Sequence, residues 1–125
     1  MCDRRFGIGA DGLMLLQNHT GFDFEMVYFN SDGNESTMCG NGGRCLAAFA
    51  GALGLLHDHR CHFIAIDGPH DAVLLRPDWV ELRLGDVREV EIGADYCCLN
   101  TGSPHYVRFV EDAMHLNVNA EGGAV

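Results

Sequence analysis

The sequence predicts a mixed α/β (α+β) domain in which a curved sheet wraps a central buried helix. Three observations lead there. Between Gly43 and Leu56 the residues Leu46, Ala47, Ala48, Phe49, Ala50, Ala52, Leu53, Leu55 and Leu56 are apolar on every side of a helical wheel, the pattern of a helix covered all round. Short strand patterns separated by turn residues flank that stretch on both sides. The length of 125 residues, 47% of them apolar, suits one core that hides roughly 65 to 70 per cent of the unfolded chain's surface.

Along the chain, Phe6-Gly7-Ile8-Gly9-Ala10-Asp11-Gly12 reads as a loop that enters a buried strand at Leu13-Met14-Leu15-Leu16. A turn at Thr20-Gly21 leads to Asp23 to Asn30, where acidic and apolar residues alternate before an apolar end, so the two segments form a hairpin. Ser31-Asp32-Gly33-Asn34 supplies turn residues that tolerate positive φ. In the helix, Gly51 and Gly54 each cost about 1 kcal/mol relative to alanine, a cost accepted where another backbone passes close by. Further strands are expected at Cys61 to Asp67, Ala72 to Leu75, Trp79 to Leu84 and His105 to Val110, with turns at Asp67-Gly68-Pro69-His70 and Arg76-Pro77-Asp78. Trp79-Val80-Glu81-Leu82-Arg83-Leu84 alternates, giving that strand one wet face. The tail from Asn117 to Val125 loses periodicity and ends without a closing element, like a chain cut short.

Composition excludes several function classes. A net charge of −10 opposes binding to nucleic-acid backbones and anionic membrane surfaces, and no apolar run approaches the ~20 residues of a membrane span. The opening Met1-Cys2-Asp3-Arg4-Arg5-Phe6 carries charge with no apolar region after it, so no secretory signal is read and a cytoplasmic location is expected. Six cysteines in such a setting are expected as free thiols, the adjacent Cys97 and Cys98 being poorly placed to pair with each other.

The most informative segment is Met38-Cys39-Gly40-Asn41-Gly42, immediately before the helical stretch. A thiol at a helix N-terminus meets backbone N–H groups that have no intrahelical acceptor and the positive end of the helix dipole, which favour thiolate. The glycines let a ligand approach the backbone, and the same N–H groups suit a carboxylate or phosphate.

Four segments, in order, carry a family resemblance: Cys2-Asp3-Arg4-Arg5-Phe6-Gly7-Ile8-Gly9-Ala10-Asp11-Gly12, Phe29-Asn30-Ser31-Asp32-Gly33, Met38-Cys39-Gly40-Asn41-Gly42-Gly43-Arg44-Cys45, and Asn100-Thr101-Gly102-Ser103-Pro104-His105. Together they resemble the N-terminal half of the diaminopimelate epimerases, amino-acid epimerases that work without a cofactor. Asn41 favours this family over the proline-racemase-like enzymes, which have histidine in the corresponding place. The resemblance implies one half of a two-domain fold over residues 1–125, and an activity that converts LL-2,6-diaminopimelate to the meso form on the route to lysine and peptidoglycan. It implies proton transfer at the α-carbon between two cysteines on opposite faces, with Cys39 as one of them, no pyridoxal phosphate and no metal. Gly40 and Asn41 match backbone contacts to the substrate carboxylate, Asn30 matches a substrate-binding asparagine, and His105 matches a histidine that tunes the cysteine's protonation.

Two departures stand out. Ser103 occupies the place of a substrate-binding asparagine and reaches less far. The family's first strand and its C-terminal half, with the second cysteine motif, have no counterpart in these 125 residues, so the chain by itself is expected to be inactive. A non-catalytic binding or assembly module, pairing with a C-terminal half or a second copy through exposed apolar surface, is the alternative, as is a proline-racemase-like enzyme half. Blander readings accompany the sharp ones: Cys45 as an inert core thiol, with Cys2, Cys97 and Cys98 likewise; Asn30 as a turn residue; His105 as a histidine satisfied by a backbone carbonyl. His57, His59 and Cys61 alternate as zinc ligands along one side of a strand would, but no second ligand pair accompanies them. The Gly7, Gly9, Gly12 spacing precedes a strand instead of opening a helix and is not a dinucleotide site.

Overall fold

The computed structural model describes residues 1–123. Strands β1 (Gly12–Gln17) and β2 (Phe24–Asn30) form the expected antiparallel hairpin, with Gly12 opposite Asn30 and Gln17 opposite Glu25. The turn after β2 places Gly33 at φ 87°, a conformation glycine adopts without steric cost. Helix α1 (Gly40–Ala52) follows, and the chain returns as β3 (Arg60–Ala65), parallel to β2. β4 (Gly68–Arg76) and β5 (Trp79–Arg83) complete a curled sheet ordered β1-β2-β3-β4-β5. A second antiparallel sheet contains β6 (Val90–Ile92), β7 (Tyr96–Asn100) and β8 (Pro104–Arg108), and the short helix α2 (Val118–Gly122) comes last. Among the described residues no helix is long and apolar enough to cross a membrane.

The mixed class and the helix against a curled sheet agree with expectation, but the helix differs in extent and burial. It begins at Gly40, with Cys39 as the capping residue, and ends at Ala52. The stop is a paired hydrogen-bond motif: Leu55 N–H donates to the Ala50 carbonyl and Gly54 N–H to the Gly51 carbonyl, both at 3.0 Å, with Gly54 at φ 71°. Gly54 is thus a terminator with open space around its Cα, not a point of close backbone approach. Gly51 does admit a neighbour, the Leu74 side chain, whose Cδ2 would stand 2.5 Å from an added Cβ.

Burial of α1 is confined to one stripe, Gly42, Gly43, Leu46, Ala47 and Ala50, while Phe49 and Leu53 are 52% and 53% exposed. An apolar circumference therefore does not mean a surrounded helix here. Under the stripe lie Phe24, Met26, Met38, Phe63, Ala65 and Ala72, with the Phe24 and Phe63 rings stacked at 4.8 Å between centroids. Alanine and glycine on the buried stripe let the helix sit close to these larger side chains, the interdigitation a dense core requires. Cys45 lies off the stripe and is exposed, so it is not a core thiol. Cys61 is buried, and Cys2, Cys97 and Cys98 are half-buried; all six cysteines are free.

Other expectations need correction. β1 is an edge strand whose residues are half-buried instead of buried. The β3–β4 turn consists of Ile66 and Asp67, because Ala65 already pairs with Gly68, and His70 belongs to β4. β5 has its wet face as expected, Val80 and Leu82 packing inward and Trp79, Glu81 and Arg83 outward. β6 and β7 were not expected: β6 is three exposed residues long, too short and too wet to register as a pattern. The tail does contain an element, α2, capped by the Asn117 side chain accepting from Ala120 N–H at 3.1 Å; Ala124 and Val125 lie outside the described residues. Asp58 and His59 occupy left-handed backbone at φ 54° and 58°, in a tight connection that precedes β3. His57 and His59 consequently do not run along a strand with Cys61, and no group of three or more potential metal ligands exists among the described residues.

Candidate functional site

Cys39 caps α1 with its own side chain: backbone at φ −111° and ψ 113°, Sγ accepting from Gly42 N–H at 3.4 Å. Gly43 N–H donates to the Cys39 carbonyl at 2.8 Å, the first bond of the helix. By helix geometry the N–H groups of Gly40 and Asn41 lack intrahelical acceptors and face the end of the helix beside the sulfur. The thiol is half-buried and accessible.

That helix end forms one wall of a cleft of about 450 Å3. β2 contributes Tyr28 and Asn30, the approach to the helix contributes Ser36 and Thr37, and the loop between β7 and β8 contributes Thr101 and Ser103, with His105 at the start of β8. All six residues singled out from the sequence, Asn30, Cys39, Gly40, Asn41, Ser103 and His105, line this one cavity. Arg44 is the permanently charged group in its lining, and among the described residues no carboxylate lines it. In a chain of net charge −10, a cleft with a guanidinium, a helix N-terminus and no acid favours an anionic ligand.

The glycines of the motif divide between two tasks. Gly40 borders the cleft, its Cα bracketed by the Arg44 guanidinium and Leu84. Arg44 Nη1 donates to the Gly40 carbonyl at 3.1 Å, which holds the cation along the helix end. Gly42 and Gly43 face the core instead: a side chain at Gly42 would collide with the Met14 sulfur, and one at Gly43 would stand 2.7 Å from the Met38 terminal methyl. Ligand approach explains only the first of these glycines.

The β7–β8 loop is set by its own hydrogen bonds. Thr101 N–H donates to the Ser103 carbonyl at 3.1 Å, Gly102 N–H donates to Asn100 Oδ1 at 2.8 Å, and Gly102 sits at φ 103°. Thr101 Oγ1 lies 2.9 Å from His105 Nε2. Beneath the loop is His70, the one buried polar side chain among the described residues. Its Nε2 lies 2.9 Å from Asp67 Oδ1 and its Nδ1 3.3 Å from the Arg83 carbonyl, and its ring stacks on Phe63. The other oxygen of Asp67 packs against Gly102, so the pair joins the β3–β4 turn to the cleft loop.

Sequence reasoning missed Tyr28, Arg44, Thr101 and His70 as contributors. Arg44 and Thr101 lie inside the quoted motifs, where polarity beside a candidate site residue was a usable signal. Nothing in spacing marked Tyr28 or His70, whose placement depends on strand register. A larger hollow of about 740 Å3 lies over β6–β8, lined by Glu89, Glu91, Cys98 and Tyr106 among others. It includes His105 but nothing of the α1 N-terminus, and its two glutamates make it the less suitable place for an anion.

A family profile described as diaminopimelate epimerase matches residues 1–86, the stretch that holds β1 to β5 and α1. Among curated proteins, the chain is 54% identical over 125 residues to a diaminopimelate epimerase of Flavobacterium psychrophilum, covering 100% of this chain and 48% of that protein. It is 41% identical over 132 aligned positions to one of Chlorobaculum tepidum, covering 100% and 51%, and 39% identical over 124 to one of Nitratiruptor sp., covering 95% and 49%. The chain spans about half the length of the curated relatives it matches.

Proposed function

The chain belongs to the diaminopimelate epimerase family, and from that premise we propose that it forms one half of an epimerase centre for LL-2,6-diaminopimelate. Cys39 is its acid/base at the α-carbon. The observation that supports this reading is the convergence of Asn30, Cys39, Gly40, Asn41, Ser103 and His105 on one cleft at a helix N-terminus.

Removing an α-proton leaves negative charge that spreads onto the adjacent carboxylate. The N–H groups of Gly40 and Asn41, fixed by the helix and directed at that carboxylate, stabilise the charge as it develops without having to reorganise. Cys39 thiolate takes the proton on one face. His105 accepts or returns the sulfur's own proton, a task an imidazole performs near neutral pH. Asn30 and Ser103 hydrogen-bond the amino and carboxylate groups of the substrate, Ser103 with a shorter reach than an amide has. Inversion also needs a proton delivered to the opposite face. Cys39 is the one thiol lining the cleft among the described residues, so the second acid/base comes from a complementary half and the chain alone does not invert substrate.

The test is incubation with LL-diaminopimelate in D2O, for the chain alone and for the chain mixed with the C-terminal half of the Flavobacterium psychrophilum relative. Meso product carrying one α-deuterium is expected only from the mixture and is expected to vanish with Cys39→Ala. Inversion by the chain alone, or by the Cys39→Ala mixture, would overturn the assignment.

A second reading, an assembly surface, is favoured by the fact that no residue of β6, β7, β8 or α2 is buried while Ile92, Phe109 and Met114 are 80%, 91% and 90% exposed. Three strands without a covered face are marginal in water. Light scattering on a concentrated sample tests it: a strictly monomeric chain with a cooperative melt would sink this reading.

A further inference from the structure

We propose that Thr101 is the positioning residue for His105, fixing through its hydroxyl which imidazole nitrogen is left to exchange a proton in the cleft. The inference rests on the reading of His105 given above. Thr101 Oγ1 lies 2.9 Å from His105 Nε2, and among the described residues it is the one side-chain or backbone partner of that ring. Both residues line the cleft with Cys39.

The backbone that carries Thr101 is fixed independently of the imidazole. The Thr101 N–H is tied to the Ser103 carbonyl, the Asn100 carboxamide fixes the next peptide, and Gly102 is wedged against Asp67. Thr101 is β-branched, which further limits its χ1. With Nε2 occupied, Nδ1 is the nitrogen free for proton transfer.

In this scheme the Thr101 hydroxyl oxygen accepts from Nε2–H in both protonation states. In the neutral ring Nε2–H donates to Thr101 Oγ1 and Nδ1 presents its lone pair. When the Cys39 S–H bond breaks, its electron pair stays on sulfur and the proton forms an N–H bond at Nδ1, directly or through water. The Nε2–H bond to Thr101 then stabilises the imidazolium, and the reverse transfer restores the thiol. Valine at position 101 matches the shape but removes the oxygen, so the ring relaxes to the tautomer mixture of a free histidine and the imidazolium loses its acceptor.

Charged and titratable groups around His105 are Tyr28, Cys39 and Arg44 on the cleft side, and Glu89, Glu91, Cys98 and Tyr106 on the side of the larger hollow. All are the same in the variants below, so a difference reports the hydroxyl. The full chain, labelled with 15N-histidine, is compared as wild type, Thr101→Val and Thr101→Ser by long-range 1H–15N correlation. In parallel the rate of Cys39 alkylation by iodoacetamide is followed against pH. The wild type is expected to show the Nε2–H tautomer; Thr101→Val should mix the tautomers and displace the alkylation profile by about half to one pH unit, and Thr101→Ser should restore both. A wild-type tautomer signature retained in Thr101→Val overturns the proposal, as does failure of Thr101→Ser to restore it. His105→Gln separates the two layers: an alkylation profile unchanged by it removes His105 as the partner of Cys39, while the 15N spectra still decide whether Thr101 sets the ring.

Discussion

Replacing Cys39 by serine should stabilise the protein while removing the thiol proposed as the acid/base. Cys39 occupies the capping position of α1 and its sulfur accepts the Gly42 N–H at 3.4 Å. Sulfur is a weak acceptor, whereas a serine oxygen at a helix N-cap is worth about 0.5 to 2 kcal/mol over alanine. Part of that span is already supplied by the sulfur, so Cys39→Ser should gain about 0.5 to 1 kcal/mol, and Cys39→Ala should fall at or below the wild type. A change of about 1 kcal/mol moves the melting temperature of a domain this size by about 3 to 5 °C. The assay is thermal unfolding followed by circular dichroism under reducing conditions, with the expected order serine, wild type, alanine. Serine melting at or below alanine would refute the capping geometry. The expected order would mean that cysteine is kept at a position where serine makes the better helix, a stability concession that a chemical role explains.

Three further outcomes follow from the packing. Gly42→Ala should destabilise by about 1 to 3 kcal/mol because Met14, Met26 and the Cys39 Cβ crowd the added carbon together and leave Met14 little room to withdraw, whereas Gly51→Ala presses only on the movable end of Leu74 and should lie near neutral; equal urea midpoints for the two would contradict this. His70→Ala leaves the Asp67 carboxylate and the Arg83 carbonyl without their partner and should cost about 1 to 3 kcal/mol, with partial recovery in His70→Gln, both read from chemical denaturation. Burial, and secondarily the Asp23 carboxylate, push the Cys61 thiol from 9.0 up to about 11, so the folded chain keeps a proton that the unfolded chain loses. That contribution to stability is complete below pH 9 and disappears as pH rises through 11. The wild type should lose more stability than Cys61→Val between pH 8 and pH 11, and parallel losses would show that the thiol is not responsible.

How much of the fold and the cleft is legible in the sequence depends on what each residue's neighbours are. The β1–β2 hairpin was readable because Asp23 to Asn30 carries its alternation locally. The cleft was readable because four ordered segments carried the resemblance, and the fold brings their Asn30, Cys39 and His105 to one place. The sequence overstates the burial of the helix because apolar side chains such as Phe49 and Leu53 look alike whether covered or half exposed; a wheel counts apolar positions and not partners. β6 and β7 lacked the length or alternation that makes a strand visible. The sequence pattern puts His70 in a turn, and only the pairing of Ala65 with Gly68 moves it into a strand and under the cleft loop.

Gly42 and Gly43 belong to the core although they sit in the motif that carries the thiol. The nearest of their neighbours are methionines, Met14 on the edge strand and Met38 just before the helix. A methionine adapts its shape but cannot vacate its volume, so a larger residue at 42 presses on Met14 and then on Met26, and one at 43 on Met38 and then on Leu82. A change at either glycine is felt by several side chains at once. Cys39 rests on a bed of side chains that lies largely outside the cleft, and variation in that bed would shift the thiol without altering any residue of the cleft's lining except Met38.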